Sequence, residues 1–199
     1  MTVEEGYRKR YRSGDIPWDV GRPDFNLTEV VTQRPIPGCK ALDIGCGTAD
    51  NSIWLAGHGF QVTGTDTSEI AIQKGVEKAS EAKVECDFVR IDFLANRIPG
   101  APFGFVFDRG CFHSFRSQQD RSRFARNVAA HLEGAGLWLT IAGNADEHRQ
   151  GPGPPQSTAG EIVLAVEPHF EVLSLISSHF DSNHPHPPRA WRCLLRKRG

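Results

Sequence analysis

Four short apolar segments, each running into a carboxylate, alternate along this chain with stretches of helical periodicity, and that alternation leaves few folds open. The first is Lys40 to Ile44, with Asp43 inside the strand end and the turn Gly45-Cys46-Gly47 directly after it. Phe60 to Thr65 ends at Asp66, Val84 to Ile91 at Asp92, and Phe103 to Phe107 at Asp108. Asp50 to Gly57 and Ser68 to Lys83 read as the intervening helices, the second opened by a Thr/Ser cap after Asp66. Strands alternating with helices build a parallel sheet covered on both faces. In such a sheet ligands bind outside the carboxyl ends of the strands. Any single Asp has a simpler reading as a helix cap, but four in succession gather carboxylates along one edge.

The letters of the glycine turn narrow the ligand. Gly45 and Gly47 sit where backbone must approach a bound molecule closely, since a β-carbon there would collide with it. A dinucleotide site needs a third glycine three residues on, where the pyrophosphate meets the helix N-terminus. Position 50 is instead Asp, a poor neighbour for a pyrophosphate. Acidic residues on both sides of the glycines suit a ligand with ribose hydroxyls and a cationic centre but no phosphate, and S-adenosylmethionine fits that description. Asp66 follows the glycines by about 20 residues, the place of a carboxylate that accepts both ribose hydroxyls. A purely structural strand-to-helix turn is the alternative for the glycine pair alone.

With these residues assembled, the chain resembles the class I S-adenosylmethionine-dependent methyltransferases over roughly residues 39 to 142. ALDIGCGTAD looks like that family's first motif, TGTD its ribose-binding loop, VRIDF its adenine-edge contact and FVFDRG its fourth motif. A narrower resemblance lies outside this core. Ile16-Pro-Trp-Asp-Val-Gly-Arg-Pro23 is similar to the PWDxGR segment of the thiopurine and halide/thiol methyltransferase group, and Gly153-Pro-Pro-Gln-Ser157 to that group's GPP motif. The resemblance implies a Rossmann-like α/β fold: a seven-stranded, mostly parallel sheet with helices on both faces and a C-terminal antiparallel hairpin. It implies S-adenosyl-L-methionine as cofactor, with Gly45 and Gly47 against its methionine part, Asp66 and the adjoining Thr67 at the ribose, Asp92 and the backbone or ring of Phe93 at the adenine, and Asp108 of the fourth motif among the cofactor-binding residues. Asp43 orients the turn or receives the ammonium through water. Trp18 reads either as a core plug or as a lid residue whose aromatic face meets a sulfonium. Arg22 would neutralise a carboxylate of cofactor or substrate.

Asp108-Arg-Gly-Cys-Phe-His-Ser-Phe115 follows the fourth strand and should face the transferable methyl. His113 is the only group there suited to act as a base near neutral pH. It departs from the related enzymes, and a structural histidine is the competing reading. Arg109 would pair with Asp108 or reach substrate, and Cys111 has no need to form a covalent intermediate when transfer is direct. The implied activity is methyl transfer by in-line displacement to a small-molecule acceptor, sulfur or another soft atom first. O- or N-methylation, a non-catalytic S-adenosylmethionine-binding module, and more distantly a nicotinamide dehydrogenase are the rivals.

Composition sets the outer bounds. The 199 residues suffice for one domain with one substantial core. We expect a helical lid over residues 1–34 and a Rossmann-like core over 35–199. The formal net charge of -1 offers no field for nucleic acid. Neither a spanning apolar run nor a signal-peptide centre is visible, so no membrane is expected and a cytoplasmic location is. Five scattered cysteines with no CxxC pair indicate neither disulfides nor zinc. His184 and His186 share a proline-stiffened loop without a third ligand nearby, and no metal is expected.

The remaining elements follow from punctuation. Residues 2–12 form a helix with Tyr7 and Tyr11 on one face, and Asp24 caps another that runs to about Gln33. Asp120 to Leu132 makes a helix whose Arg121, Arg123 and Arg126 form a solvated face, Gly136 to Ala142 a fifth strand, and 143–156 a long loop. Glu161 to Val166 is a helix, and Phe170 to His179 pairs with Ala190 to Arg196. Oligomeric state leaves no mark in the sequence.

Overall fold

The computed structural model describes residues 3–149 and 153–199, without the side chains of 3, 4, 7 and 8, so the part expected of Tyr7 lies outside the described residues. The strands are β1 (Lys40–Ile44), β2 (Gln61–Asp66), β3 (Cys86–Arg90), β4 (Phe103–Arg109), β5 (Leu132–Asn144), β6 (Gln156–Ser157), β7 (Phe170–His179) and β8 (Arg189–Lys197). The α-helices are α1 (Val3–Ser13), α2 (Phe25–Gln33), α3 (Asp50–Gly57), α4 (Glu69–Ala82), α5 (Gln118–His131) and α6 (Ala159–Val166). The sheet runs β3-β2-β1-β4-β5-β8-β7, parallel as far as β5, with β8 antiparallel to both neighbours. This is the Rossmann-like architecture the sequence implied. The two-residue β6 adds a parallel pairing at Gly143 and Asn144 that spacing alone did not announce.

Both faces of the sheet are covered, which is why its central strands are apolar without alternation. Phe105 and Phe107 of β4 point into a core with Leu27, Val30, Leu55 and Phe60, while Val106 points into the opposite one with Phe112, Phe124, Trp138 and Phe170. A register shift between Phe103 and Phe105 turns Phe103 to the same side as Val106. Helix starts follow their caps: Asp24 accepts the Asn26 N–H at 2.9 Å, Ser68 that of Ala71 at 3.3 Å, and Thr158 forms a capping box with Glu161.

Three expectations need correction. Arg121 is buried, not solvated: it donates to Glu161 at 2.8 Å and to the Phe115 and Arg116 carbonyls, tying α5 to α6. The fifth strand begins at Leu132, because β4 pairs with it from Phe103. Residues 1–34 do not all stand apart from the core expected over 35–199, since α2 buries Leu27, Val30 and Val31 in it.

Candidate active site

The chain crosses from β3 over β2 and β1 to β4, so β1 has the sheet's reversal point beside it, with Ile44 in register with Asp108. That is the crevice where open α/β sheets bind ligands. The turn leaving β1 is tightly wound. Gly45, Gly47 and Ala49 have φ of +68°, +57° and +72°, conformations that two glycines adopt freely and that cost Ala49 about 1 kcal/mol. A β-carbon on residue 47 would lie 3.0 Å from the Tyr11 hydroxyl, and one on residue 45 would lie 3.4 Å from Cys111 Cβ. The turn is therefore pressed by α1 on one side and by the loop after β4 on the other.

Carboxylates ring this turn. Asp43 is buried and accepts the Ser52 hydroxyl at 2.6 Å. Asp66 accepts the Gly47 N–H at 3.1 Å and the Ser68 N–H at 2.8 Å, one bond on each oxygen, leaving lone pairs on both. Asp108 is fully buried, with one oxygen taking the Cys111 and Phe112 N–H groups and the other the Trp138 indole at 2.9 Å. Burial pushes Asp43 up to about 7 and Asp108 up to about 6, Asp43 further because Asp108 and Asp66 lie near. Asp66 is raised by burial as well. Among the described residues no salt bridge reaches these three groups. Burial and the same carboxylates drive the Cys46 and Cys111 thiols well above their ordinary range. Glycines with left-handed φ that keep the turn open and a carboxylate with free lone pairs beside them fit a molecule with ribose hydroxyls.

The other expected residues fall around the same edge. Thr67 follows Asp66, and its carbonyl accepts Arg90 Nε at 3.3 Å. Asp92 caps a turn by accepting the Leu94 N–H at 2.8 Å. The Phe93 ring does not line this edge: it is buried against Phe124 and His131, at centroid distances of 5.1 and 5.4 Å. Trp18 lies over the turn, donating to the Tyr11 hydroxyl at 3.2 Å. Arg22 lines the cleft, but its carboxylate partner is Asp181 in the β7–β8 connection, with Asn183 Oδ1 at 2.7 Å.

His113 is buried behind the loop. Its Nδ1 accepts the Gly143 N–H at 3.0 Å, so the ring proton sits on Nε2, and burial with nearby Arg109 pushes its pKa down to about 3. Arg109 does not pair with Asp108. Its guanidinium reaches Asp24 at 2.6 Å, the Trp18 carbonyl at 3.1 Å and the Asp181 carbonyl at 2.5 Å. Asp24 is more than a helix cap, for it also accepts the Asp181 N–H at 3.3 Å. Tyr11, Asp24 in this second role, Asp181 and Lys78 were not singled out as site residues, because each meets the site through a partner distant in sequence.

Residues 41–136 match the family model described as a methyltransferase domain. A probable thiol methyltransferase 2 of Arabidopsis thaliana is 28% identical over 87% of this chain and 76% of the relative. Thiocyanate methyltransferase 1 of Brassica oleracea is 31% identical over 87% and 77%. The 2-heptyl-1-hydroxyquinolin-4(1H)-one methyltransferase of Mycobacteroides abscessus is 31% identical over 84% and 74%. Among solved structures, the N-methyltransferase NodS of Bradyrhizobium japonicum in complex with S-adenosyl-L-homocysteine superposes with a TM-score of 0.74 over 99% of both chains at 14% identity.

Proposed function

Because this chain belongs to the S-adenosylmethionine-dependent methyltransferases, we propose that it methylates small acceptors that arrive already ionised, thiolates and comparable soft anions first. Its cofactor is S-adenosyl-L-methionine. The observation that carries the proposal is that the proton acceptors around the transfer loop are already engaged. His113 spends its lone pair on Gly143, and Asp108 and Asp43 are sealed in the fold, Asp108 accepting from its own loop and Trp138 and Asp43 from Ser52. An acceptor with a high pKa would need one of them free. A thiolate or thiocyanate needs none. The names of the thiol and thiocyanate methyltransferase relatives support the same class.

The cofactor supplies an electrophilic methyl on a sulfonium, whose carbon–sulfur bond breaks as the acceptor's lone pair forms the new bond. Within this proposal the chain's own residues do the rest. Gly45 and Gly47 leave room against the backbone, Asp66 accepts ribose hydroxyls with Thr67 beside it, and Asp92 borders the adenine. Asp43 and Asp108 hold the turn and the loop in place. Trp18 and Tyr11 close the crevice from the lid side, excluding water and fixing the line of approach. Arg22 and Arg109 position the lid rather than a ligand carboxylate.

A second reading has its own support. The hydroxyquinolone methyltransferase has the same 31% identity as the thiocyanate enzyme, over a slightly shorter span, and an N-hydroxyl of that kind is acidic enough to arrive as an oxyanion. One experiment separates these and tests the missing base. Transfer from labelled cofactor is measured against pH for an alkyl thiol, an aryl thiol, thiocyanate and an N-hydroxyquinolone. Without an enzyme base, the pH at which kcat/KM levels off follows each acceptor's own pKa, and thiocyanate gives a flat profile. A break at one fixed pH for every acceptor overturns the proposal, and transfer to the quinolone alone selects the second reading.

A further inference from the structure

Lys78 of α4 is the one basic side chain that reaches the cofactor turn itself among the described residues. Its ammonium lies 2.8 Å from Thr48 Oγ1, 2.8 Å from Asp50 Oδ1 and 3.7 Å from Asp19 Oδ1. Thr48 and Asp50 flank Ala49, the left-handed residue at which the turn becomes α3. Asp19 follows Trp18 in the loop that hangs over the turn, and its N–H closes a tight turn onto the Ile16 carbonyl at 3.0 Å. A lysine ammonium has three donors and no acceptor, and here it faces three oxygens from two separate segments. Without it, Asp19 and Asp50 would stand together as like charges; Asp50 is already raised by burial and by Asp19, with Lys78 opposing.

The lid loop is thus held at two places of different character. On one side Arg109, its side chain 12% exposed, grips the Trp18 carbonyl and Asp24, which is 1% exposed. On the other, Lys78, Asp19 and Asp50 are 34%, 21% and 19% exposed, so water and salt reach this tie and not the first. We propose that Lys78 is a positioning residue for cofactor binding, clamping the Trp18–Asp19 lid loop to the Thr48–Asp50 end of the glycine turn so that the lid stays shut over bound cofactor. The inference rests on the reading of this loop as a lid. The buried Arg109 tie is the hinge and the Lys78 tie the latch, and the lifetime of bound cofactor is set at the latch.

The test is the dissociation rate of S-adenosylhomocysteine by stopped-flow tryptophan fluorescence, with affinity from titration calorimetry, in wild type, Lys78→Met, Lys78→Arg, Asp19→Asn and the Lys78→Met/Asp19→Asn pair. Lys78→Met should release the ligand about fivefold faster, the rate equivalent of a part-exposed ion pair. Lys78→Arg should restore most of the lifetime. The double variant should release no faster than Lys78→Met alone, because one latch is lost once and the Asp19–Asp50 repulsion goes with it. Added salt should hasten release from wild type and should not hasten it from Lys78→Met, where only the Asp19–Asp50 repulsion is left to screen. Equal release rates for wild type and Lys78→Met, or an Asp19→Asn effect that persists undiminished beside Lys78→Met, overturns the latch. Should Lys78→Met fail to fold, Asp19→Asn carries the same test from the lid side, through faster release and lost salt dependence. Binding by wild type reads the cofactor site; the ratio of variant to wild type reads the latch.

Discussion

Replacing His113 with Asn offers the Gly143 N–H an uncharged acceptor and removes a titrating group, which turns the burial of that ring into a measurable pH dependence. The imidazole has an ordinary pKa near 6.5 and is pushed down to about 3 in the fold by burial and by Arg109. Its folded pKa is depressed, so the unfolded chain binds the proton first. The stability that a neutral His113 contributes is complete above pH 6.5 and is lost as pH falls toward 3. At pH 5 the unfolded imidazole is about 97% protonated while the folded one is neutral, a loss of ~2 kcal/mol relative to pH 7.5. The wild-type pH profile alone does not isolate this. Asp43 and Asp108, raised to about 7 and about 6, favour the fold at low pH and lose that contribution as pH rises through their window. The difference between wild type and His113→Asn cancels those carboxylates and keeps only the imidazole. Urea unfolding at both pH values should therefore show the cost of His113→Asn shrinking by ~2 kcal/mol between pH 7.5 and pH 5. An equal cost at the two pH values would refute a buried neutral ring and restore His113 as a candidate base.

Other perturbations test separate parts of the structure. Asp24→Ala removes the cap of α2 and strands the Arg109 guanidinium, a combined cost of ~4 kcal/mol that should lower the melting temperature by about 10 °C; a drop under about 3 °C would show the Arg109–Asp24 pair to be dispensable. Asp66→Ala should abolish most of the thermal stabilisation by S-adenosylhomocysteine, which for wild type at about 100 times its Kd is ~2.7 kcal/mol, and an undiminished shift would remove Asp66 from the ribose site. Thr158→Ala breaks the capping box that opens α6 and should cost ~1 kcal/mol by urea unfolding with no change in cofactor affinity; a weakened affinity would link α6 to the site.

What the sequence reveals and what it hides follows from the range of the interactions. Strand ends, glycine turn and caps are local, and Asp66 bonds to Gly47 because β1 and β2 pair side by side in the order any wound sheet imposes. The edge of the site is therefore legible from spacing. The loop around Trp18 and the loop after β4 are not, for their geometry hangs on residues that meet only in the folded chain. Arg109 had a neighbouring carboxylate in Asp108, and pairing the two was the economical expectation. Asp108, however, points inward to Trp138 and to its own loop's N–H groups, while the guanidinium turns the other way to Asp24, Trp18 and Asp181. Adjacent residues on a strand face opposite sides, so the pairing was geometrically unfavourable from the start. Phe93 lies in the turn beyond β3: the Asp92 carboxylate accepts the Leu94 N–H, and the ring between them packs into the core against Phe124. His113 shows the converse. Its position in a transfer loop suggests a base, yet the Gly143 N–H, brought beside it by β5 some 30 residues later, takes the lone pair a base would need. What His113 and Asp108 can do is thus decided less by their place in the loop than by the groups of the fold that they already accept from.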